Sequence, residues 1–303
     1  IIIQKFYHFC VLISVARSIP GIGFYKDSIF ILLSKLFQKK VICHLHVQGF
    51  QKASQETLKR KYYRFVFKGV SVVHLSKSLY KDISNVVEEK NVFFIANGVI
   101  PVSKLELNIP IVKDIERFEI LFLSNMIEFK GPYLLLEAIN ETIKNHPSKD
   151  IHINFIGKWQ DEKFKDKFLS YISEYSLGKY VSILGGIYGN EKNQYFRDAD
   201  VFILPTNFEA FPLVLLEAME FSLPIISTKE GAISDIVDND ITGFVIEKNN
   251  KIELANKIDI LLNNKDLGNE FGELARKKFE ENYTSDIMEL NIYNTIMRVI
   301  DDA

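Results

Sequence analysis

Cysteine is scarce in this chain, and no apolar run is long. Of the 303 residues two are cysteines, Cys10 and Cys43. They lie in apolar surroundings and form no Cys-x-x-Cys pair, which argues against a disulfide framework or a structural zinc site and fits a reducing cytoplasm. Both read as small buried hydrophobes. The longest uncharged apolar stretches fall short of the roughly 18–20 residues that a membrane-spanning helix needs, so no such helix is expected. The opening Ile1-Ile2-Ile3-Gln4-Lys5 has neither an initiator methionine nor the layout of a signal peptide, and it reads as the start of a fragment whose own N-terminus is missing. Internal repeats and low-complexity segments are also lacking.

What is present is an ordinary globular mixture, 47% apolar and 25% charged, which excludes disorder, collagen and coiled coil. The length suits two α/β domains. The net charge of −2 conceals a division: residues 1–108 hold 16 Lys and Arg against 6 Asp and Glu, and the remainder 21 against 33. Such asymmetry points to two domains with different partners. The basic half could face anionic lipid or a phosphate-bearing substrate, or carry ordinary solvated lysines.

Periodicity predicts a helix over 26–38, with Ile29, Leu32, Leu33 and Leu36 on one stripe, and a strand over 41–45. A basic helix over 55–68, a strand over 70–75, a helix over 76–87 and a strand over 92–95 follow. Short apolar strands between helices indicate a parallel sheet covered on both faces. Residues 100–117 have weak periodicity and two prolines, Pro101 and Pro110, and make the best linker. The second run predicts strands over 120–123, 151–156, 181–184, 201–204 and 224–227. Between them come helices over 132–144, 162–175, 190–198 and 212–221, and the last part, about 250–300, is helical.

Ligands of open parallel sheets bind beyond the carboxyl ends of the strands, and three loops there are chemically unusual. Ser124-Asn125-Met126-Ile127-Glu128-Phe129-Lys130-Gly131-Pro132 runs from a strand into a helix that Pro132 can open. Lys130 beside a helix N-terminus suits a phosphate, or is a solvated loop lysine. Glu209 follows a strongly apolar strand. Glu217 lies about one and a half turns into a helix otherwise made of Leu, Val, Ala and Met. A carboxylate there is costly unless paired, used, or turned to solvent. The third loop is His44-Leu45-His46-Val47-Gln48-Gly49-Phe50. Two histidines at this spacing fit core residues or metal ligands, although further metal ligands are not evident nearby.

Glu209 and Glu217 with seven residues between them, followed by Pro224-Ile225-Ile226-Ser227-Thr228, Gly231, Asp235-Ile236-Val237 and Thr242-Gly243-Phe244, resemble glycosyltransferase family 4. Lys130-Gly131, Gly157, the 199–205 strand and Asn97-Gly98-Val99 match in order and spacing, so the resemblance covers roughly residues 20–300. It implies an α/β fold of GT-B type: two facing Rossmann-like domains with parallel sheets, the first incomplete. The acceptor-side domain would be residues 1–108, with a C-terminal helix of about 285–303 packing back on it, and the nucleotide-sugar domain residues 109–284. It implies a retaining transferase moving a sugar, from a UDP-sugar by preference, to a glycan or lipid-linked acceptor in surface polysaccharide synthesis. A nucleotide-sugar 2-epimerase of the same fold, or a non-catalytic nucleotide-sugar-binding subunit, is the alternative.

The same resemblance implies residue roles. Glu217 would hold the donor ribose, Glu209 the transferred sugar, and Lys130 with Gly131 the leaving diphosphate. The amides of Phe211, Leu213 and Val214 would support phosphate or sugar, and backbone near Gly157, Gly185 and Gly186 would meet the base. His46 would reach the transferred sugar; the alternation of side chains along a strand is read as placing His44 on the opposite face. Asn125 stands where the family commonly has an arginine, so leaving-group stabilisation rests more heavily on Lys130. Asp198-Ala199-Asp200 mimics an Asp-x-Asp metal motif but ends a helix before the strand, so neither metal nor cofactor is expected. Nucleic acid is not expected as a partner. On the basic helix, Arg60, Arg64 and Lys68 share a face with Tyr63 and Phe67 beside it, which suits an anionic bilayer. The expected location is the cytoplasm, with peripheral attachment to the inner membrane face.

Overall fold

The computed structural model describes residues 12–16, 22–102 and 117–301. Contacts divide the chain into one unit of residues 1–98 with 285–303, and another of residues 99–284. Cys10, the opening segment and residues 103–116 of the expected linker lie outside the described residues.

The smaller unit runs β1 (Leu12–Ala16), α1 (Ile22–Leu36), β2 (Val41–Leu45), α2 (Phe50–Ala53), α3 (Thr57–Phe67), β3 (Ser71–His74), α4 (Tyr80–Ile83) and β4 (Val92–Phe94). Its four strands are parallel in the order β1-β2-β3-β4. Val41, Cys43, Leu45 and Val72 present one face to Phe24 and Ile31 of α1 and to Tyr63, Val66 and Phe67 of α3. Edge-to-face aromatic contacts fasten this layer, with Phe24 ring centroids 5.3 Å from Phe50 and 5.1 Å from Tyr63.

Two expectations fail here. Of the stripe of Ile29, Leu32, Leu33 and Leu36, Leu32 packs against the core while the other three are exposed, and α1 meets the sheet through Phe24, Ser28 and Ile31. The helix is apolar on both sides, so periodicity alone could not choose the inner one; Ser28, hydrogen-bonded to Tyr62 at 2.5 Å, marks it. The expected helix over 76–87 shrinks to Tyr80–Ile83. The Ser78 N–H is taken by Ser76 Oγ at 3.1 Å, a local turn that competes with helix.

The larger unit contains β5 (Phe118–Leu123), α5 (Pro132–Asn145), β6 (Ile151–Ile156), α6 (Glu162–Glu174), β7 (Val181–Gly185), α7 (Gly189–Asp198) and β8 (Val201–Leu204). It continues through α8 (Leu213–Glu220), β9 (Ile225–Thr228), α9 (Ile233–Ile236), β10 (Gly243–Ile246), α10 (Lys251–Asn263) and α11 (Lys265–Asn282). Six parallel strands lie in the order β10-β9-β8-β5-β6-β7. Every residue of β8 and β9 is buried, as a strand covered on both faces requires. Pro132 opens α5, and Asp161 caps α6 by accepting the Phe164 N–H at 2.7 Å. The strand order reverses between β5 and β8, the place where such sheets open a crevice.

The last helix, α12 (Ser285–Asp301), belongs to the smaller unit. Met288, Ile292, Ile296 and Val299 cover the sheet face formed by Ile42, Val73 and Ile95, opposite to that under α1 and α3.

Candidate functional site

The loops leaving β5 and β8, on either side of the reversal, are knit together. Asn207 donates its N–H to the Phe129 carbonyl at 2.7 Å, and Thr206 Oγ1 donates to the same oxygen at 3.2 Å. Gly131 has φ 79°, and a Cβ there would stand 2.1 Å from the Pro205 carbonyl oxygen, so only glycine lets the loops approach this closely. The contact brings Lys130 to Glu209: Lys130 Nζ donates to Glu209 Oε2, with side chains 16% and 20% exposed. The charge-assisted pair sits at the carboxyl ends of two central strands, where an anionic group with hydroxyls beside it would find both a cation and an acceptor.

The glycines after β6 and β7 form a second cluster. Gly157 donates its N–H to the Gly185 carbonyl at 2.7 Å, and a Cβ on Gly157 would lie 1.7 Å from the Ser124 carbonyl and 3.4 Å from the Asn125 Cα. Asn125 is exposed on this rim. Gly186 lies against the Lys158 and Tyr188 side chains. The exposed backbone between these side chains offers hydrogen-bonding groups and an edge for a flat ring.

Glu217 projects from α8 and accepts from Lys192 of α7 at 2.8 Å, both side chains partly exposed. They line a cavity of about 330 Å³ with Asn190, Asn193, Glu220 and Phe221. Glu220, on the same helix, is buried; burial raises its pKa, while the Val102 N–H and Arg276 oppose the rise. It is an anchor of the fold. Leu213 and Val214 open α8, where the first N–H groups have no partner within the helix. Phe211 is buried, its ring 6.2 Å from that of Tyr283, which leaves its backbone as the usable part.

In the smaller unit His46 lies just beyond β2. His44 is beside it, not on the opposite face, with ring centroids 4.1 Å apart, because residues two apart in an extended chain share a face. His74 on β3 is fully buried; it accepts the Leu75 N–H at Nδ1 at 3.0 Å, so its proton is on Nε2. Burial first, then mutual repulsion with the neighbouring histidines, lowers both His44 and His74 to about 4. Asp82 of α4 accepts the N–H groups of Gly49, Phe50 and Gln51 at 2.9, 3.0 and 3.1 Å, which fixes the turn that follows His46.

Asp82 and Lys192 are residues that sequence reading missed. An acidic residue in a short turn and a lysine in a polar helix carry no local signal; only the fold shows their partners. Tyr63 and Phe67, read as flanking a basic surface, are core residues. Asp198 and Asp200 lie at the amino end of the sheet: Asp198 Oδ1 accepts from Gln194 at 2.8 Å, and Asp200 Oδ2 from the Glu119 N–H at 2.8 Å. Among the described residues no group of three or more His, Cys, Asp or Glu could hold a metal ion, and no helix is long and apolar enough to cross a membrane.

A six-stranded parallel sheet with a cation at its reversal point defines a Rossmann-like α/β unit of the kind that takes phosphate-bearing ligands. The glycosyl transferases group 1 family matches residues 104–278, and the chain belongs to that family. The capsular polysaccharide biosynthesis glycosyltransferase CapM of Staphylococcus aureus is 27% identical over 190 residues, 60% of this chain and 47% of the relative. The poly(ribitol-phosphate) alpha-N-acetylglucosaminyltransferase of S. aureus strain COL is 29% identical over 230 residues, 74% of this chain and 44% of the relative. The crystal structure of Anabaena Alr3699/HepE in complex with UDP aligns with TM-score 0.79 at 16% identity, covering 98% of this chain and 81% of that one, a likeness of fold. The fold is thus α/β with parallel sheets, of GT-B class. The chain spans about half the length of the curated relatives it matches. Family membership favours sugar transfer over epimerisation.

Proposed function

We propose that the protein is a retaining, nucleotide-sugar-dependent glycosyltransferase of family 4 type. It moves a sugar from a UDP-sugar to a glycan or lipid-linked acceptor in surface polysaccharide synthesis, at the cytoplasmic face of the membrane. The observation that carries the reading is the Lys130–Glu209 pair at the carboxyl ends of β5 and β8. A donor diphosphate arriving there would draw Lys130 from Glu209 and free the carboxylate for the sugar hydroxyls. Lys130 would neutralise the charge that grows on the leaving diphosphate, with Gly131 and the amides of Leu213 and Val214 close to the phosphates. Glu217, now held by Lys192, would accept from the ribose hydroxyls. The backbone around Gly157, Gly185 and Gly186 would receive the base. His46 is assigned to the transferred sugar, and Lys130 takes the place of a metal. In a front-face reaction the leaving phosphate oxygen takes the proton of the attacking hydroxyl, and the protein supplies no nucleophile. The names of the relatives, which speak of capsular polysaccharide and poly(ribitol-phosphate), and the UDP held by the structural neighbour support the substrate class.

Calorimetric titration with UDP-, GDP-, ADP- and dTDP-sugars, followed by product analysis with the preferred donor, tests the proposal. Saturable binding of a UDP-sugar and a glycoside that keeps the donor's anomeric configuration are expected. A folded chain that binds none of the four overturns it, as does release of an epimerised free sugar.

A further inference from the structure

Beside the Lys130–Glu209 pair stand two aromatic rings that the proposed chemistry leaves unused. Phe129 directly precedes Lys130, and Phe208 directly precedes Glu209. Their side chains are 44% and 49% exposed, and among the described residues of the larger unit they are the only exposed phenylalanines. The rings meet edge to face, with centroids 6.3 Å apart and planes at 84°, and Lys130 Nζ lies 5.6 Å from the Phe129 centroid. The backbone beneath them is fixed by Thr206, which is fully buried. Its Oγ1 donates to the Phe129 carbonyl at 3.2 Å and accepts the Phe208 N–H at 3.3 Å. The anchors are all backbone groups, so the rings themselves have no part in holding the loops. Large apolar side chains kept in water by a fixed backbone, next to a charged site, mark a place that a ligand covers.

We infer that Phe129 and Phe208 receive one face of the transferred hexose and select a sugar of gluco configuration. The inference rests on the transferase reading and names the sugar that reading leaves open. A pyranose carries hydroxyls around its rim and C–H groups on its faces. Glu209 is assigned to the rim, and a face needs an apolar partner, which aromatic rings supply. In an α-linked nucleotide hexose the diphosphate leaves from one face of the ring. The attacking hydroxyl of a front-face reaction enters on that same side, so the opposite face is open to the protein. In glucose and N-acetylglucosamine the axial positions of this face hold only hydrogens, at C2 and C4. Galactose places a hydroxyl there at C4, and mannose one at C2. Pressed against phenyl rings, such a hydroxyl loses water without gaining a matching partner. Position in the site selects the sugar over other occupants. Each ring is one residue from a group assigned to the diphosphate or to the sugar hydroxyls, whereas the base is assigned to the glycines after β6 and β7.

Calorimetric titration of the full chain with UDP, UDP-glucose, UDP-N-acetylglucosamine and the C4 epimers UDP-galactose and UDP-N-acetylgalactosamine tests it. One gluco-configured donor is expected to bind about tenfold more tightly than its epimer. Phe129→Ala and Phe208→Ala should each weaken that donor by roughly three- to tenfold and shrink the ratio between epimers. UDP alone, which has no hexose, should bind these variants as it binds the parent chain, and that result also reports that they are folded. Phe129→Tyr and Phe208→Tyr keep the ring and should keep the ratio. Phe129→Leu and Phe208→Leu repeat the test should an alanine variant fold poorly. Equal affinity for the epimers, preference for the galacto donor, or an unchanged ratio in the variants that lack a ring overturns the inference. In each of those cases saturable binding of a UDP-sugar leaves the transferase reading standing. A folded chain that binds none of the five overturns both.

Discussion

The two units handle ionisable groups in opposite ways. In the larger one the candidate groups pair with each other, Lys130 with Glu209 and Lys192 with Glu217. In the smaller one His44 and His74 are dehydrated into neutrality. The surfaces invert the pattern, since the smaller unit turns apolar side chains outward between lysines. A site made of paired charges can exchange its internal partner for a ligand of matching charge. A site made of dry imidazoles holds its shape only while it remains uncharged.

Acid gives the largest expected effect on this contrast. His44 and His74 titrate at about 4 when folded and near 6.5 when unfolded, so above pH 6.5 neither state binds the extra proton and stability is at its full value. As pH falls from 6.5 to 4 the unfolded chain gains protons first, and each histidine withdraws on the order of 3 kcal/mol. Glu119 in the larger unit has the opposite sign. Burial first, with Asp200 and Asp198 nearby, raises it to about 7, so its protonation favours the folded state as pH falls from 7 to 4.5. The one tryptophan, Trp159, lies in the larger unit. Thermal unfolding at pH 5 should therefore show a loss of ellipticity before the tryptophan signal changes. Coincident transitions would break the contrast.

Lys130→Ala should lower kcat by about 10²–10³ with a smaller change in donor affinity, because the lost cation matters most when the leaving group is charged. Lys130→Arg should recover part of the rate, and equal losses in kcat and affinity would move Lys130 out of the transition state. Glu217→Ala should weaken donor binding by roughly ten- to a hundredfold, the worth of a charge-assisted hydrogen bond; unchanged calorimetric affinity would remove it from the ribose site. Asp82→Ala should cost about 1–3 kcal/mol of stability by orphaning the amides of Gly49, Phe50 and Gln51, with a two-state denaturant titration as the check. Asn125→Arg should leave stability nearly unchanged and tighten diphosphate binding slightly. A loss of binding there would show that the rim has no room for a second cation.

Much of the larger unit was legible in its residues. The strands over 151–156 and 201–204 stand where periodicity places them, and Pro132 opens its helix. Strand β10 escaped because Gly243 and a four-residue length mimic a turn. The smaller unit was harder. Helix α1 is apolar all round, and amphipathic spacing identifies a stripe without saying which side faces inward. For the candidate site, the family pattern carried Glu209, Glu217 and Lys130. Lys192 and Asp82 lie far in sequence from what they hold, and a single sequence has no term for that distance. His44 stands beside His46, 4.1 Å between ring centroids, because residues two apart on a strand share a face.

The position of α12 has a consequence for how the chain is made. Ile42, Val73 and Ile95 emerge from the ribosome before the larger unit, and the helix that covers them is translated only after the whole of it. Domains fold as they are synthesised where they can. Here the first sheet must wait, with one apolar face open to water and to chaperones, until Val299 has left the exit tunnel. The larger unit, contiguous in sequence, can close on its own in the meantime. Completion of the smaller unit thus waits for translation of the larger unit and of α12, and a nascent chain stalled before α12 would expose the surface that quality control recognises.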